Sequence, residues 1–306
     1  MIALLAPGQG SQTPGMLAPW LDDPAAEESL AAWAEATGLD LCRLGTTAGA
    51  EEIKDTAVTQ PLVVATALLA AARLDLPATA PVAGHSVGEL TAAAIANVLT
   101  PAVAVALAQV RGAAMAAACA LEPTGMSAVL GGSSADVAAA LAAFGLDPAN
   151  RNGTGQVVAA GPTAALAALT QNPPERTRVI ALSVAGAFHT RFMAPAEEAL
   201  RSHARSLEPT DPVRPLLSNA DGAVVTDGAD ALRRMVAQVT RPVRWDFCMA
   251  TLRELGVTAV LELPPAGALV GLVKRERTGT ATLALKSPED LAAAAELIAE
   301  HTGSAP

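Results

Sequence analysis

The chain contains no tyrosine, and its three tryptophans and four phenylalanines leave aromatics at 2% of 306 residues. A core of that size must therefore be built from Ala, Leu and Val. Charge is scarce as well. Charged residues make up 16% against 51% hydrophobic, which excludes a disordered chain and leaves a globular one with one large domain, or one large and one small. Basic residues are in deficit, 20 Lys and Arg against 30 Asp and Glu, for a net charge of −10. No basic patch dominates, so non-specific nucleic-acid binding is excluded, and an acidic partner finds no broad complementary surface.

Cysteine is equally sparse. Cys42, Cys119 and Cys248 show no CxxC spacing, which excludes a disulfide framework or a zinc site and predicts reduced thiols. The start, MIALLAPGQG, lacks a basic leader region and turns at Pro7-Gly8, so it reads as a first strand and not as a signal peptide. The longest apolar stretches are Ala-rich and carry Arg73, Glu89 or Arg111, which argues against membrane spans. A soluble, cytoplasmic, monomeric protein is expected.

What is present is an alternation of strand-like and helix-like segments, which predicts an α/β fold with a largely parallel sheet. Ile2 to Ala6 reads as a buried strand, Gln60 to Leu74 as a helix, and Thr79 to Ala83 as the approach to a second strand. Thr100-Pro101 starts a long helix that should end near Pro123 and Gly125. From there MSAVL, GGSSADVAAALAAFG, QVVAAG, PTAALAALT and RVIALSV read as strand, helix, strand, helix, strand. One further short strand near residues 146 to 150 would complete a βαββαβ ferredoxin-like module, which places a small inserted domain at 122–186 within a large domain of 1–121 and 187–306. VRPLLSN, ADALRRMVAQV, WDFCMATLRELG, TAVLEL and AGALVGLVKRE resume the large domain. Ser287-Pro288 caps a last helix before a tail, HTGSAP, that is expected to fray.

Between strand and helix the chain reads VAGHSVGELT, a serine centred in Gly-x-Ser-x-Gly. Such a nucleophile elbow lifts a hydroxyl onto a helix N-terminus, but the pattern also arises by chance in Gly- and Ala-rich chains. Ser86 needs a base, and the chain has only His85, His189, His203 and His301. His301 falls in the tail, His203 sits between Arg201 and Arg205 in a polar stretch, and His85 is held inside the elbow with its ring turned away. His189, in VAGAFHTRF, remains as the candidate base by elimination; its bland reading is a structural histidine beside a phenylalanine.

Gly8-Gln9-Gly10-Ser11-Gln12 directly follows the first strand. It reads as a flexible turn, as a phosphate cradle lacking the P-loop lysine, or best as a loop whose backbone N–H groups join that of Val87 to hold an oxyanion. Loss of one such donor costs about 3–4 kcal/mol in acyl transfer. Arg111 emerges among Leu107, Ala108, Ala114 and Met115, and on that apolar face it requires an anion. It is either a salt-bridged or snorkelled arginine, or a fixed guanidinium that selects a substrate bearing its own carboxylate.

Taken in order, GQGSQ, TQP, GHSVGE, QVRGAAM, NGTGQVVAAG, GAFHT and QVTRPVRW resemble the malonyl-CoA:acyl carrier protein transacylase family across essentially the whole chain. The resemblance implies an α/β-hydrolase-like large domain, a ferredoxin-like small domain and an active site between them. It further implies that Ser86 takes the acyl group, His189 is its base, and Arg111 binds the malonyl carboxylate with Gln60 lining the pocket. The backbone N–H groups of Gln9 and Val87 would form the oxyanion hole, and the backbone carbonyl of Gln238 would orient His189 in place of a triad acid. Malonyl-CoA and an acyl carrier protein, which brings the phosphopantetheine thiol, are the implied partners. No metal or redox cofactor is implied. Val87 and Phe188 stand where methylmalonyl-selective relatives often carry glutamine and serine, which implies selection of unbranched malonyl. Arg241 and Pro265-Ala266 depart from the family pattern and could alter the cleft wall.

Two other classes compete. A serine acyl hydrolase acting on thioesters or lipid esters would need an acid for His189, with Asp211, Asp221 and Asp227 as candidates. A non-catalytic scaffold is disfavoured because every expected reactive position is filled.

Overall fold

IALLA is buried along its whole length because its two faces belong to two different cores. Ile2, Leu4 and Ala6 point into the main apolar cluster, and Ala3 and Leu5 into a second one on the opposite side. This is the central strand of a computed structural model that describes residues 1–153 and 155–302. Among these residues the strands are β1 (Ile2–Ala6), β2 (Val82–Gly84), β3 (Thr124–Gly131), β4 (Asp147–Arg151), β5 (Gln156–Pro162), β6 (Thr177–Ala181), β7 (Leu216–Leu217), β8 (Val224–Val225), β9 (Ala259–Glu262) and β10 (Ala281–Ala284).

The large sheet has the order β10-β9-β1-β2-β7-β8 and is parallel except for the β7–β8 hairpin. The second sheet, β4-β5-β3-β6, is antiparallel throughout, and helices Ser134–Ala143 and Thr163–Gln171 form its crossovers. That is the ferredoxin-like βαββαβ arrangement, inserted into an α/β fold. The strand sought near residues 146 to 150 is β4. One face of the small sheet packs Val129 and Ala159 on its own helices, while Met126, Val158 and Ala160 join the main core. A backbone bridge from Asn150 to Val243 ties its edge to the large domain. The small unit is therefore held to the large domain by one strand edge and one apolar face.

Several boundaries differ from those read in the sequence. The helix expected from Gln60 runs over Thr56–Ala71, because the Asp55 side chain accepts from Ala57 N and starts it earlier; Pro61 then lies inside the helix. The strand in VRPLLSN contracts to Leu216–Leu217. His301 is not in a frayed end: the last helix, Leu291–Thr302, carries it, and its Nδ1 lies 2.8 Å from Thr258 Oγ1. Residues 303–306 of HTGSAP lie outside the described residues. Ser287 and Asp290 form a capping box ahead of that helix. Helix Pro101–Cys119 is long and apolar enough to cross a membrane by length and composition, but it packs against helices Thr56–Ala71 and Ala194–Ala204 and brings the buried Arg111 to Ser86.

Candidate active site

Loops at the carboxyl ends of three parallel strands converge, where open α/β sheets place their ligands. They are Pro7–Gly10 after β1, the Ser86 turn after β2, and Ser218-Asn219 after β7. The first two are joined by His85 N donating to Ala6 O at 3.0 Å. The glycines of the elbow are required by close approach. A Cβ on Gly84 would lie 2.0 Å from the Gly88 backbone, and one on Gly88 would lie 2.3 Å from Ala6 O. Ser86 itself has φ 56°, a left-handed conformation that costs a serine on the order of 1–3 kcal/mol and has to be held by its surroundings.

Asn219 does much of the holding, and the sequence reading assigned it no role. Its Oδ1 accepts from Ser86 N at 2.8 Å, its Nδ2 donates to Gly84 O at 2.7 Å, and its own N–H donates to Glu89 Oε1 at 2.7 Å. In the sequence it is an asparagine before a turn, which needs no special explanation; only its position beside the elbow reveals the contact. Glu89 is buried, and burial pushes its carboxyl up to about 8 against the opposing effect of the Asn219 N–H and of Arg111.

His189 reaches Ser86 from the segment that returns from the small domain. Its φ is 62°, and it is flanked by Thr190, which donates to Ala187 O and accepts from Phe192 N. Thr124, on β3, accepts from Ala187 N and ties the turn to the small sheet. His189 Nε2 lies 2.8 Å from Ser86 Oγ, and its Nδ1 lies 2.9 Å from the Gln238 backbone carbonyl. A carbonyl can only accept, so Nδ1 carries the proton and Nε2 faces the serine as an acceptor. Burial, then the nearby Arg111 charge, pushes the ring down to about 3, so it is neutral at physiological pH.

Arg111 is 3% exposed and belongs to none of the ion pairs among the described residues. Its Nη1 donates to Gln60 Oε1 at 2.7 Å, and its Nη2 donates to both Ser86 Oγ and Gln238 Oε1 at 3.2 Å. Burial lowers it to about 10, and it remains cationic near neutrality. Gln60 Nε2 in turn rests 3.4 Å from Met115 Sδ. Ser86, Arg111 and Glu89 line one small cavity with Leu107, Leu200 and Met235. The second contact of Gln238, through its side chain, was not legible in the sequence.

Gln9 and Val87 each present a backbone N–H that no acceptor among the described residues occupies. The Gln9 side chain donates to Thr56 Oγ1 at 3.4 Å. Phe188, next to His189, is buried in the main core and is not among the residues that line the small cavity.

The remaining histidines are engaged elsewhere. His85 Nε2 lies 3.0 Å from Asn152 Oδ1, its ring meets Trp245 edge-on, and burial lowers its pKa. His203 is exposed. The three aspartates weighed as a triad acid are also committed: Asp211 accepts from Gly228 N, Asp221 pairs with Arg234, and Asp227 caps helix Gly228–Ala237. Arg241 is exposed, while Pro265 is buried and Ala266 half-buried between β9 and helix Ala268–Glu276. Cys42 is exposed, Cys119 half-buried and Cys248 buried, all as free thiols.

A family model described as an acyl transferase domain matches residues 4–296. A malonyl CoA-acyl carrier protein transacylase of Mycobacterium tuberculosis is 57% identical over 296 residues, covering 95% of this chain and 98% of the relative. The transacylase of the same name from Escherichia coli K12 is 36% identical over 307 residues, covering 96% and 99%. The crystal structure of MCAT from Mycobacterium tuberculosis superposes with a TM-score of 0.92 at 56% identity, covering 96% of this chain and 99% of that one. A structure of a type II PKS acyl-carrier protein in complex with its malonyl-transacylase matches at 29% identity with a TM-score of 0.88, covering 96% and 99%.

Proposed function

The chain belongs to the acyl transferase domain family and is an acyltransferase; from that premise we propose that it moves a malonyl group from malonyl-CoA to the phosphopantetheine thiol of an acyl carrier protein. The observation that carries the choice of malonyl is Arg111: a buried guanidinium 3.2 Å from the candidate nucleophile, with no carboxylate at ion-pair distance among the described residues and Glu89 acting on it only from farther off. A substrate whose acyl group ends in a carboxylate supplies the missing anion, in the planar fork geometry that suits arginine. The relatives' names agree with this choice.

The reaction runs in two halves through one ester. His189 Nε2 takes the Ser86 proton as Oγ attacks the thioester carbonyl, and the N–H groups of Gln9 and Val87 receive the developing oxyanion. Collapse breaks the C–S bond, and CoA leaves as its thiol with the proton from His189. The carrier's thiol then enters, gives its proton to His189 and attacks the Ser86 ester. The tetrahedral centre collapses, and Ser86 leaves with that proton restored. The Gln238 carbonyl keeps Nδ1 protonated throughout, so no acid is required behind the histidine.

Phe188 does not line the small cavity, but its bulk in the core next to His189 favours unbranched malonyl. The test is intact mass measurement of the protein with malonyl-CoA, then with a phosphopantetheinylated carrier protein. One malonyl group should appear, map to Ser86, vanish in Ser86→Ala, and transfer to the carrier without release as free acid. Steady release of malonate in the presence of carrier would instead make the protein a hydrolase.

A further inference from the structure

We propose that Asn219 is a positioning residue that holds the Ser86 elbow in its attacking conformation, with Glu89 fixing Asn219 from behind. The inference deepens the proposed function and rests on Ser86 being the nucleophile.

Ser86 sits at φ 56°, and a left-handed serine persists only where neighbouring contacts over-determine it. The elbow's own contacts are the turn bonds Gly88 N to His85 O and Glu89 N to Ser86 O, both 3.0 Å. Both stabilise the entry to the helix. Neither engages Ser86 N, the group whose orientation sets φ. Asn219 supplies that contact at 2.8 Å, and the same amide grips Gly84 O, on the other side of His85, at 2.7 Å. One planar side chain thus clamps the backbone on both sides of His85, from the turn after β7, 133 residues further along.

The amide must itself be fixed. Asn219 is fully buried, Glu89 Oε1 accepts from its N–H at 2.7 Å, and its carbonyl accepts from Arg244 N at 2.8 Å. Glu89 belongs to the helix that begins at the elbow, so the bond closes a ring from Ser86 through Asn219 and Glu89 back to the nucleophile's own helix.

The clamp also sorts donors. Ser86 N is occupied by Asn219 Oδ1, whereas the adjacent Val87 N has no acceptor among the described residues. The elbow therefore offers Val87 N, and not Ser86 N, to an oxyanion. Without the clamp, two neighbouring amides would compete for it and the turn would be free to relax. A displacement of about 1 Å at a reacting atom costs about a hundredfold in rate.

The experiment compares wild type with Asn219→Ala and Asn219→Asp. Two reactions at Ser86 are timed: single-turnover malonyl loading across malonyl-CoA concentrations, and sulfonylation by phenylmethylsulfonyl fluoride, which replaces fluoride with Oγ. Asn219→Ala should lower the saturated loading rate by about a hundredfold, leave the half-saturating concentration within about twofold because Arg111 is untouched, and slow sulfonylation in parallel. Asn219→Asp keeps the acceptor for Ser86 N but must hold a proton to donate to Gly84 O. Buried beside Glu89, that carboxyl should titrate well above the usual range, so both rates, taken relative to wild type at each pH because Glu89 itself titrates near 8, should recover as pH falls from 8 to 6.

A wild-type rate in Asn219→Ala, a loss confined to half-saturation, or a pH-independent Asn219→Asp would each overturn the proposal. Where Asn219→Ala does not fold, the pH profile of Asn219→Asp decides alone. A wild-type protein that is sulfonylated at Ser86 but never malonylated would refute the substrate reading and leave the sulfonylation series as the test of Asn219.

Discussion

Ser86 and His189 lie 103 residues apart in the chain, each in a left-handed backbone conformation, with φ 56° and 62°, and their Oγ and Nε2 atoms are 2.8 Å apart. Two strained residues on separate segments, meeting at hydrogen-bond distance, are the signature of a site whose geometry is imposed by the fold around it. Thr190 braces one side and Asn219 the other.

In the proposed mechanism the same ring serves both half-reactions, so His189→Ala should slow loading from malonyl-CoA and transfer to the carrier alike. The expected loss is on the order of a hundredfold or more in each, the usual contribution of a positioned general base. Rapid-quench measurement of the two half-reactions checks this. Loading at the wild-type rate would return attention to His85, the other histidine buried near the elbow.

In the proposed reaction Arg111 separates malonyl from simple acyl groups. Arg111→Ala should reduce kcat/KM for malonyl-CoA by about a hundredfold, the scale of losing charge-assisted bonds of 1.5–3 kcal/mol each. Acetyl-CoA, which has no carboxylate, should hold or gain, since removing the guanidinium also removes a cation that depresses His189. Arg111→Lys should rescue poorly, because a point charge cannot serve Gln60, Gln238 and a carboxylate together. Equal losses for both acyl-CoAs would reduce Arg111 to a structural role.

The pH dependence follows from the depressed His189. Burial and Arg111 hold its pKa near 3, so the free enzyme keeps a neutral base down to well below the ordinary 6.5. The kcat/KM profile for malonyl-CoA should therefore be flat from pH 7, below the Glu89 titration near 8, to pH 5, with no inflection near 6.5. In the complex the malonyl carboxylate offsets the Arg111 charge, which raises His189, so the acid limb of kcat should lie at higher pH than that of kcat/KM. The same shift makes the unfolded chain bind a proton that the folded one refuses between about pH 6.5 and 3, so His189 costs stability as pH falls through that window. His189→Gln should flatten this part of the dependence of Tm on pH.

Phe188→Ser should widen the acyl pocket beside His189. Methylmalonyl-CoA should then load Ser86 at a measurable rate, with the ratio of kcat/KM for malonyl over methylmalonyl falling about tenfold or more, as for about 1–3 kcal/mol of discrimination per methylene-sized group. Competition between the two substrates, read by intact mass, decides. An unchanged ratio would make Phe188 a core residue only, in keeping with its burial in the main cluster.

Much of this molecule is written in short stretches of sequence. IALLA is a doubly buried strand because every one of its residues is apolar, and GHSVG is an elbow because Gly84 and Gly88 leave no room for a Cβ. The four-histidine inventory singles out His189 by elimination, and the fourth small strand was sought where β4 lies, although only a Pro-containing segment marks it. These features depend on local propensity, steric allowance and spacing, which act over a few residues.

What tertiary structure decided acts over far longer separations. Asn219 closes on Ser86 across 133 residues because β7 is the parallel neighbour of β2, a pairing that no local pattern in LLSN encodes. The Gln238 side chain reaches Arg111 across 127 residues, and Glu89 becomes a buried acid with a raised pKa only once β7 and helix Gly228–Ala237 pack around it. His189 shows the division most plainly. Its candidacy as the base was legible in the sequence, but its protonation state, its tautomer and its dependence on Arg111 come from burial and from the direction of one carbonyl, and those exist only in the folded chain.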